Sequence, residues 1–290
     1  MSERRSGVCV ISNPREFQSQ CLAWQRQGEL VGMVPTMGAL HAGHLSLVKL
    51  CRQHCDRVVV SVFVNPTQFA PGEDFERYPR TLEADVTALG SVGVDAVLAP
   101  SAADMYRPGF STVVQPAKIA QVLEGQFRPN HYAGVTTIVA KLLHLARADV
   151  AIFGQKDYQQ LAVIQQMARE LDMATEIVMG PTCREPDGLA MSSRNRYLNP
   201  DERGRALSIS RALFACRDRV TRGETDAREL AADLMQSLID GGLDSIDYAV
   251  IADGQTLEAL DRVRSGSVAL VAGHVGRTRL IDNVILEPMS

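Results

Sequence analysis

The sequence predicts an α/β fold: a parallel sheet with helices on both faces, followed by a smaller C-terminal α/β domain. Three observations lead there. Short apolar runs at 8–11, 30–34, 57–64, 96–99 and 150–153 alternate with helical segments near 17–26, 45–51, 81–89, 135–146 and 158–171. The run 57–64 is densely β-branched, as in strands buried on both faces of a parallel sheet. The stretch Pro35-Thr36-Met37-Gly38-Ala39-Leu40-His41-Ala42-Gly43-His44 is a glycine-containing turn between an apolar run and an amphipathic one.

That turn organises the first half of the chain. It delivers His41 and His44 to a helix N-terminus, where unpartnered N–H groups and the positive end of the macrodipole favour an anion such as phosphate. Residue types alone leave open an ordinary strand-to-helix loop with two solvated histidines. The strand 57–64 ends in Asn65-Pro66-Thr67-Gln68, on the carboxyl edge where open α/β sheets bind ligands. Residues 71–80 are charged and interrupted by Pro79, so they predict an exposed loop that can act as a lid. In the helix after this loop, Glu83 and Asp85 suit its positive N-terminal end. Residues 100–133 break the alternation into an irregular insertion, and such insertions tend to be functional.

A second glycine turn, Gly154-Gln155-Lys156-Asp157, opens the helix 158–171, with Asp157 also suited to capping it. A last strand near 175–185 carries the domain boundary, giving domains 1–179 and 180–290. The second opens on Met191-Ser192-Ser193-Arg194-Asn195-Arg196, two hydroxyls and two guanidiniums fit to clamp phosphate oxygens, or a solvated polar turn. Helices at 201–222 and 226–241 and strands at 246–251 and 268–275 complete it, with the tail 276–283 read as scaffold.

Composition narrows the class. The 290 residues are 46% hydrophobic with a net charge of −4, and no basic block is present to neutralise a run of phosphates, which argues against a nucleic-acid binder. No apolar run reaches membrane-span length, and the polar N-terminus lacks an apolar signal core, so a cytoplasmic location is expected. The six cysteines show no secreted disulfide spacing. Cys51, His54 and Cys55 fall within one helical turn but lack a second ligand pair, so buried thiols are expected there in preference to zinc.

The motif Pro-Thr-Met-Gly-Ala-Leu-His-x-Gly-His resembles the signature loop of the pantothenate synthetase (pantoate–β-alanine ligase) family, within the His-x-Gly-His nucleotidyltransferase superfamily. Blocks at 63–69, 123–135, 153–160 and 190–198 extend the resemblance; position 130 is Asn where the family more often has Gly, and Asn tolerates left-handed backbone. The resemblance implies a Rossmann-like first domain and ATP-dependent condensation of pantoate with β-alanine through a pantoyl adenylate, releasing AMP and pyrophosphate. It implies ATP contacts from Met37, His41, His44, Gly154, Lys156, Asp157, Met191, Ser192, Ser193 and Arg194, with His44, His41, Lys156 and Arg194 catalytic. Gln68, Gln160, Asn65, Arg128 and His131 would bind pantoate. Magnesium would accompany ATP, with Asp85 as its candidate ligand. A homodimer, and a C-terminal domain acting as lid, are also expected. The rival readings are an adenylyltransferase that stops after transferring AMP to a phosphorylated acceptor, and a nucleotide-binding module without turnover.

Overall fold

The computed structural model describes residues 2–5, 7–70, 73 and 75–288. The chain divides into two compact units, the first comprising residues up to Gly154 together with Val163–Gly180, the second Gln155–Ala162 and the chain from Pro181 onward. In the first unit the elements run β1 (Ser2–Arg5), β2 (Val8–Ile11), α1 (Pro14–Arg26), β3 (Val31–Thr36), α2 (Ala42–Cys51), β4 (Arg57–Val62), α3 (Leu82–Gly90), β5 (Ala96–Leu98), α4 (Ala102–Met105), α5 (Glu124–Phe127), α6 (His131–Ala146), β6 (Val150–Gly154), α7 (Tyr158–Glu170, its first residues counted with the second unit) and β7 (Glu176–Gly180). The sheet order is β1-β2-β5-β4-β3-β6-β7, parallel throughout except for β1, which pairs antiparallel with β2.

This order places a switch point between β3 and β6. From β3 the chain steps outward to β4 and β5, and later resumes on the other side of β3 with β6 and β7. Crossovers leaving in opposite directions open a crevice at the carboxyl ends of the two central strands, and the 37–44 turn follows β3 there. The strands are apolar on both faces because both are covered. Val34, Val58, Val60, Val97, Val150 and Ile152 pack with Val48 and Cys51 of α2 and Val86 and Leu89 of α3. Met33 and Val59, next to them in sequence and also fully buried, point to the opposite face. The amino edge is closed by carboxylates: Asp149 accepts the Val31 N–H at 2.7 Å and Asp95 the Val58 N–H at 2.8 Å. Arg57 bridges Asp95 and Glu29. Asn13 caps α1 by accepting from the Arg15 and Glu16 amides.

The second unit is built on α8 (Pro200–Val220), α9 (Ala227–Asp240), β8 (Ser245–Asp253), β9 (Ser267–Val275) and β10 (Thr278–Leu286). Its antiparallel sheet, order β10-β9-β8, is packed by the apolar faces of α8 and α9 through Ile209, Leu213, Leu230, Leu234 and Leu238. Asn199 and Glu202 form a reciprocal capping box at the start of α8. No helix among the described residues is long and apolar enough to cross a membrane.

In four segments the structure adds to or changes the expectation. The tail read as scaffold contains β10, paired with β9 along its whole length, and the polar N-terminus contains β1. The insertion 100–133 carries α4 and α5. In the 71–80 loop, Pro71, Gly72 and Asp74 lie outside the described residues; of the others, Tyr78 is buried and forms an aromatic cluster with Phe69 and Phe75, so the segment is anchored rather than simply exposed.

A close backbone approach sets α6 against the turn after β4. Gly134 in α6 lies so near the 3-10 turn Pro66–Gln68 that a Cβ there would stand 2.4 Å from the Thr67 carbonyl oxygen and 2.8 Å from the Gln68 nitrogen. Backbone cannot swing aside as a side chain can. Gly134→Ala should therefore cost about 1–3 kcal/mol, read as a lower denaturant midpoint at unchanged slope; a midpoint equal to that of the unaltered protein would show that the turn yields freely.

Candidate active site

The turn after β3 is held from below. Thr36 donates its hydroxyl to the Ser61 carbonyl (2.6 Å) and accepts the Gly38 N–H (3.2 Å). Asp85, only 3% exposed, accepts the Ala39 N–H at 3.0 Å, the Leu40 N–H at 2.8 Å and the Thr81 hydroxyl at 3.1 Å. Gly38 has φ +84°, and a Cβ on it would touch Asp85 Oδ2 at 3.0 Å, so glycine is required by both the turn and the carboxylate beneath it. Both oxygens of Asp85, the expected magnesium ligand, accept from the loop, and no group of three or more metal-ligating side chains occurs among the described residues.

His41 is the N-cap of α2 and His44 its third residue. His41 Nδ1 accepts the Gly43 N–H at 3.2 Å, and His44 Nδ1 accepts the His41 N–H at 3.3 Å. With both Nδ1 atoms accepting, the proton of each neutral ring sits on Nε2. The ring centroids are 4.1 Å apart. Two imidazole donors and the first turn of a helix are thereby collected at the sheet's switch point.

Beside this loop Asn65, 1% exposed, is a hub whose orientation its neighbours dictate. Its Oδ1 accepts from the Tyr106 hydroxyl (2.7 Å) and the Thr67 hydroxyl (3.0 Å); its Nδ2 donates to the Gly134 carbonyl (3.2 Å) and Gln68 Oε1 (3.3 Å). Gln68 is turned in consequence, with Nε2 directed at Met37 Sδ (2.8 Å). The sequence did not single out Tyr106, which sits in the irregular insertion 41 residues away; an aromatic hydroxyl there carries no periodic signal.

Arg128 makes a bidentate pair with Glu73 (2.8 and 2.7 Å). Burial works against ionisation of Glu73, but the hydrogen bonds and charge of Arg128 prevail and hold its carboxyl below the usual range. His131 is buried between two partners of fixed character. The Gln68 carbonyl can only accept, so Nδ1 carries the proton (2.7 Å); the Arg128 guanidinium can only donate, so Nε2 is bare (3.2 Å). Burial first, and the Arg128 charge second, press its pKa down to about 4. Asn130, preceding α6, adopts φ +64°, the left-handed backbone expected of it. Gly154 ends β6, next to β3 in the sheet.

The remaining candidates belong to the second unit. Lys156 lies 3.6 Å from Asp157 in the turn before α7, and the carbonyls of Gln155 and Lys156 each accept from Asn283 Nδ2 at 2.9 Å. Asn283 of β10, in the tail read from sequence as scaffold, therefore fixes the backbone that carries Lys156. Gln160 lies in the first turn of α7. Ser192 caps the 3-10 turn Ser193–Tyr197, accepting the Arg194 N–H at 3.2 Å; Met191 precedes it. Asn195 braces the turn through Glu185 (2.6 Å) and the Ala190 carbonyl (3.0 Å). Arg184 and Asp282 form a bidentate pair alongside Asn283.

The enforced neutrality of His131 has a measurable consequence. Between pH 6.5 and about 4 the unfolded chain protonates this imidazole while the folded chain does not, so its contribution to stability is full above pH 6.5 and declines as pH falls toward 4. The loss should reach about 3 kcal/mol. In NMR titration the His131 ring resonances should stay at their neutral positions through pH 5; a midpoint near 6.5 would contradict the two-partner geometry.

Comparison with known proteins bears on the family. The sequence model of the family Pantoate-beta-alanine ligase matches residues 9–285. Pantothenate synthetase 1 of Bradyrhizobium diazoefficiens is 51% identical over 96% of this chain and 98% of its own, and the pantothenate synthetase of Rubrobacter xylanophilus is 47% identical over 97% and 99%. Among solved structures, pantothenate synthetase from Thermus thermophilus superposes with a TM-score of 0.91 at 44% identity, covering 96% of this chain and 99% of its own. Pantoate-beta-alanine ligase from Francisella tularensis, solved in complex with β-γ ATP and β-alanine, gives 0.76 at 34% identity over 95% and 97%. The sheet with its switch point, the histidine-bearing helix start and near full-length likeness at this identity agree: the chain belongs to the pantoate–β-alanine ligase family.

Proposed function

We propose that the protein condenses pantoate with β-alanine at the expense of ATP, by way of an enzyme-bound pantoyl adenylate, with release of AMP and pyrophosphate. The observation that carries this reading is the pair of imidazoles on the first turn of α2, each accepting at Nδ1 from loop backbone. The ionised carboxylate of pantoate is already a nucleophile. Its oxygen attacks the α-phosphorus, the bond to the bridging oxygen breaks, and pyrophosphate leaves; the step needs alignment and charge neutralisation rather than a base. His41, His44 and the α2 N-terminus supply donors from the first unit. Lys156, Ser192, Ser193 and Arg194 supply cationic and hydroxyl donors from the second, and Met37, Gly154, Asp157 and Met191 complete the nucleotide contacts. The free amine of β-alanine then attacks the acyl carbon and AMP departs.

Gln68 and Asn65, with Gln160, bind pantoate in this reading, their amides suiting a hydroxyl and a carboxylate. Arg128 and His131 belong to the same group, His131 acting through the Gln68 carbonyl it holds. Magnesium enters as part of the substrate, bound to the ATP phosphates, and no step is assigned to a protein-held ion. Residues 180–290 are proposed as the lid that keeps water from the mixed anhydride. The reading extends to a cytoplasmic homodimer; light scattering that returns the mass of one chain would remove the dimer.

Pyrophosphate exchange tests the adenylate step. With MgATP, labelled pyrophosphate and pantoate, and β-alanine omitted, label should appear in ATP; label that appears without pantoate, or only with a phosphorylated acceptor, would favour the adenylyltransferase. His44→Ala and Lys156→Ala should each lower the exchange rate at least about a hundredfold in protein that remains folded, and a normal rate in either removes that residue. Tyr106→Phe deletes one donor to Asn65 Oδ1. It should lower kcat/KM for pantoate about tenfold, mostly through KM, leaving the KM for ATP unchanged; equal changes for both substrates would refute a positioning role.

A further inference from the structure

Cys51 and Cys55 form a built pair that the reaction does not use. Cys51 ends α2 and Cys55 follows one turn later, their sulfurs 3.8 Å apart. Both rest on Gly32 of β3: a Cβ there would stand 2.4 Å from each sulfur, so the bare glycine is the floor on which the thiols meet. Cys51 is fully buried and Cys55 half-buried, with the Cys55 thiol donating to the Cys51 carbonyl at 3.1 Å. Cys55 is the less buried residue of the two, and its sulfur lies in van der Waals contact with that of Cys51. Among the described residues no third metal-ligating side chain is grouped with them.

We propose that Cys51 and Cys55 are a peroxide-oxidisable dithiol, with Cys55 the attacking sulfur and Cys51 the resolving one. The Cys55 thiolate attacks one peroxide oxygen; the O–O bond breaks, hydroxide leaves and takes up a proton as water, and Cys55 becomes a sulfenic acid. The Cys51 sulfur then attacks the Cys55 sulfur. The S–O bond breaks, the second water leaves with the Cys51 proton, and a disulfide remains. Two thiols lose two electrons and two protons while the peroxide is reduced to two waters. The division of labour agrees with the electrostatics. The hydrogen bond from Cys51 lowers the Cys55 pKa, burial opposing and Arg52 assisting, while that same bond and then burial raise Cys51. Burial pushes the thiols of Cys21 and Cys216 up to about 12 and about 11, so they are poor competitors. The half-buried Cys9 and Cys183 have no neighbouring thiol among the described hydrogen bonds and serve as internal controls.

The test is a hydrogen peroxide series on the folded full-length protein, followed by denaturation with N-ethylmaleimide and trypsin digestion. Cleavage after Lys49, Arg52 and Arg57 separates the two cysteines into peptides 50–52 and 53–57. These should be recovered joined, at two hydrogens below their summed mass, and separated by dithiothreitol. The link should accumulate roughly tenfold faster than oxidation at Cys9 or Cys183. Cys51→Ser should leave a sulfenic acid on Cys55 that dimedone traps, whereas Cys55→Ser should leave Cys51 reduced. Absence of the link at doses that oxidise Cys9 or Cys183, or its formation only after denaturation, would overturn the proposal; oxidation of Cys51 in Cys55→Ser would reverse the assigned roles.

Discussion

The carboxylate of Asp85, buried beneath the turn that follows β3, is the contact on which the site depends. Turns at helix starts leave N–H groups without partners, and this one turns through positive φ at Gly38 and Ala39. Asp85 resolves both problems by accepting consecutive amides from Ala39 and Leu40. Bonds of this charge-assisted kind contribute about 1.5–3 kcal/mol each. The helix start, and with it His41 and His44, is thereby fixed relative to the sheet. Asp85 comes from α3, so the loop's geometry is guaranteed by an element 45 residues further along the chain.

A second constraint is directional. From Tyr106 through Asn65 to Gln68, and from Arg128 through His131 to the Gln68 carbonyl, the chains are anchored by partners that act in one sense only: the Gly134 carbonyl for the Asn65 amide, and the Gln68 carbonyl and Arg128 guanidinium for His131. A guanidinium cannot accept and a carbonyl cannot donate, so the amide orientations and the imidazole tautomer follow without freedom. Buried polar groups of this density are costly when unmet. Here they are met by one another, and the bonds converge on Gln68, at its side-chain amide and at its backbone carbonyl. The close backbone approach at Gly134 sets the distance over which that chain can act, since Asn65 also bonds the Gly134 carbonyl.

Close packing of a similar kind recurs on the far side of α2. There the helix lies against β3 with two sulfurs over Gly32, and its opposite end carries the histidines. In the second unit, β10 returns to hold the peptide groups of Gln155 and Lys156 through one asparagine. In each place a residue with small or neutral local character acquires its role from an element distant in sequence.

Much of this was legible in the chain itself. Alternation of β-branched runs with amphipathic segments determined the α/β class, because both faces of a parallel strand must be buried and its helices must bury one stripe. The His-x-Gly-His turn, Asn65, Gln68, Arg128, Lys156 and the Ser192–Arg194 run could be singled out as candidates because motif residues lie near one another in sequence. The sequence could not reveal that Asp85 serves the loop, that Tyr106 orients Asn65, or that Glu73 pairs with Arg128. Nor could it show that the tail forms a strand whose Asn283 secures Lys156. Those roles are hydrogen bonds and ion pairs between residues far apart in the chain. Local periodicity records which face of an element is buried; only tertiary structure decides which distant donor meets which acceptor.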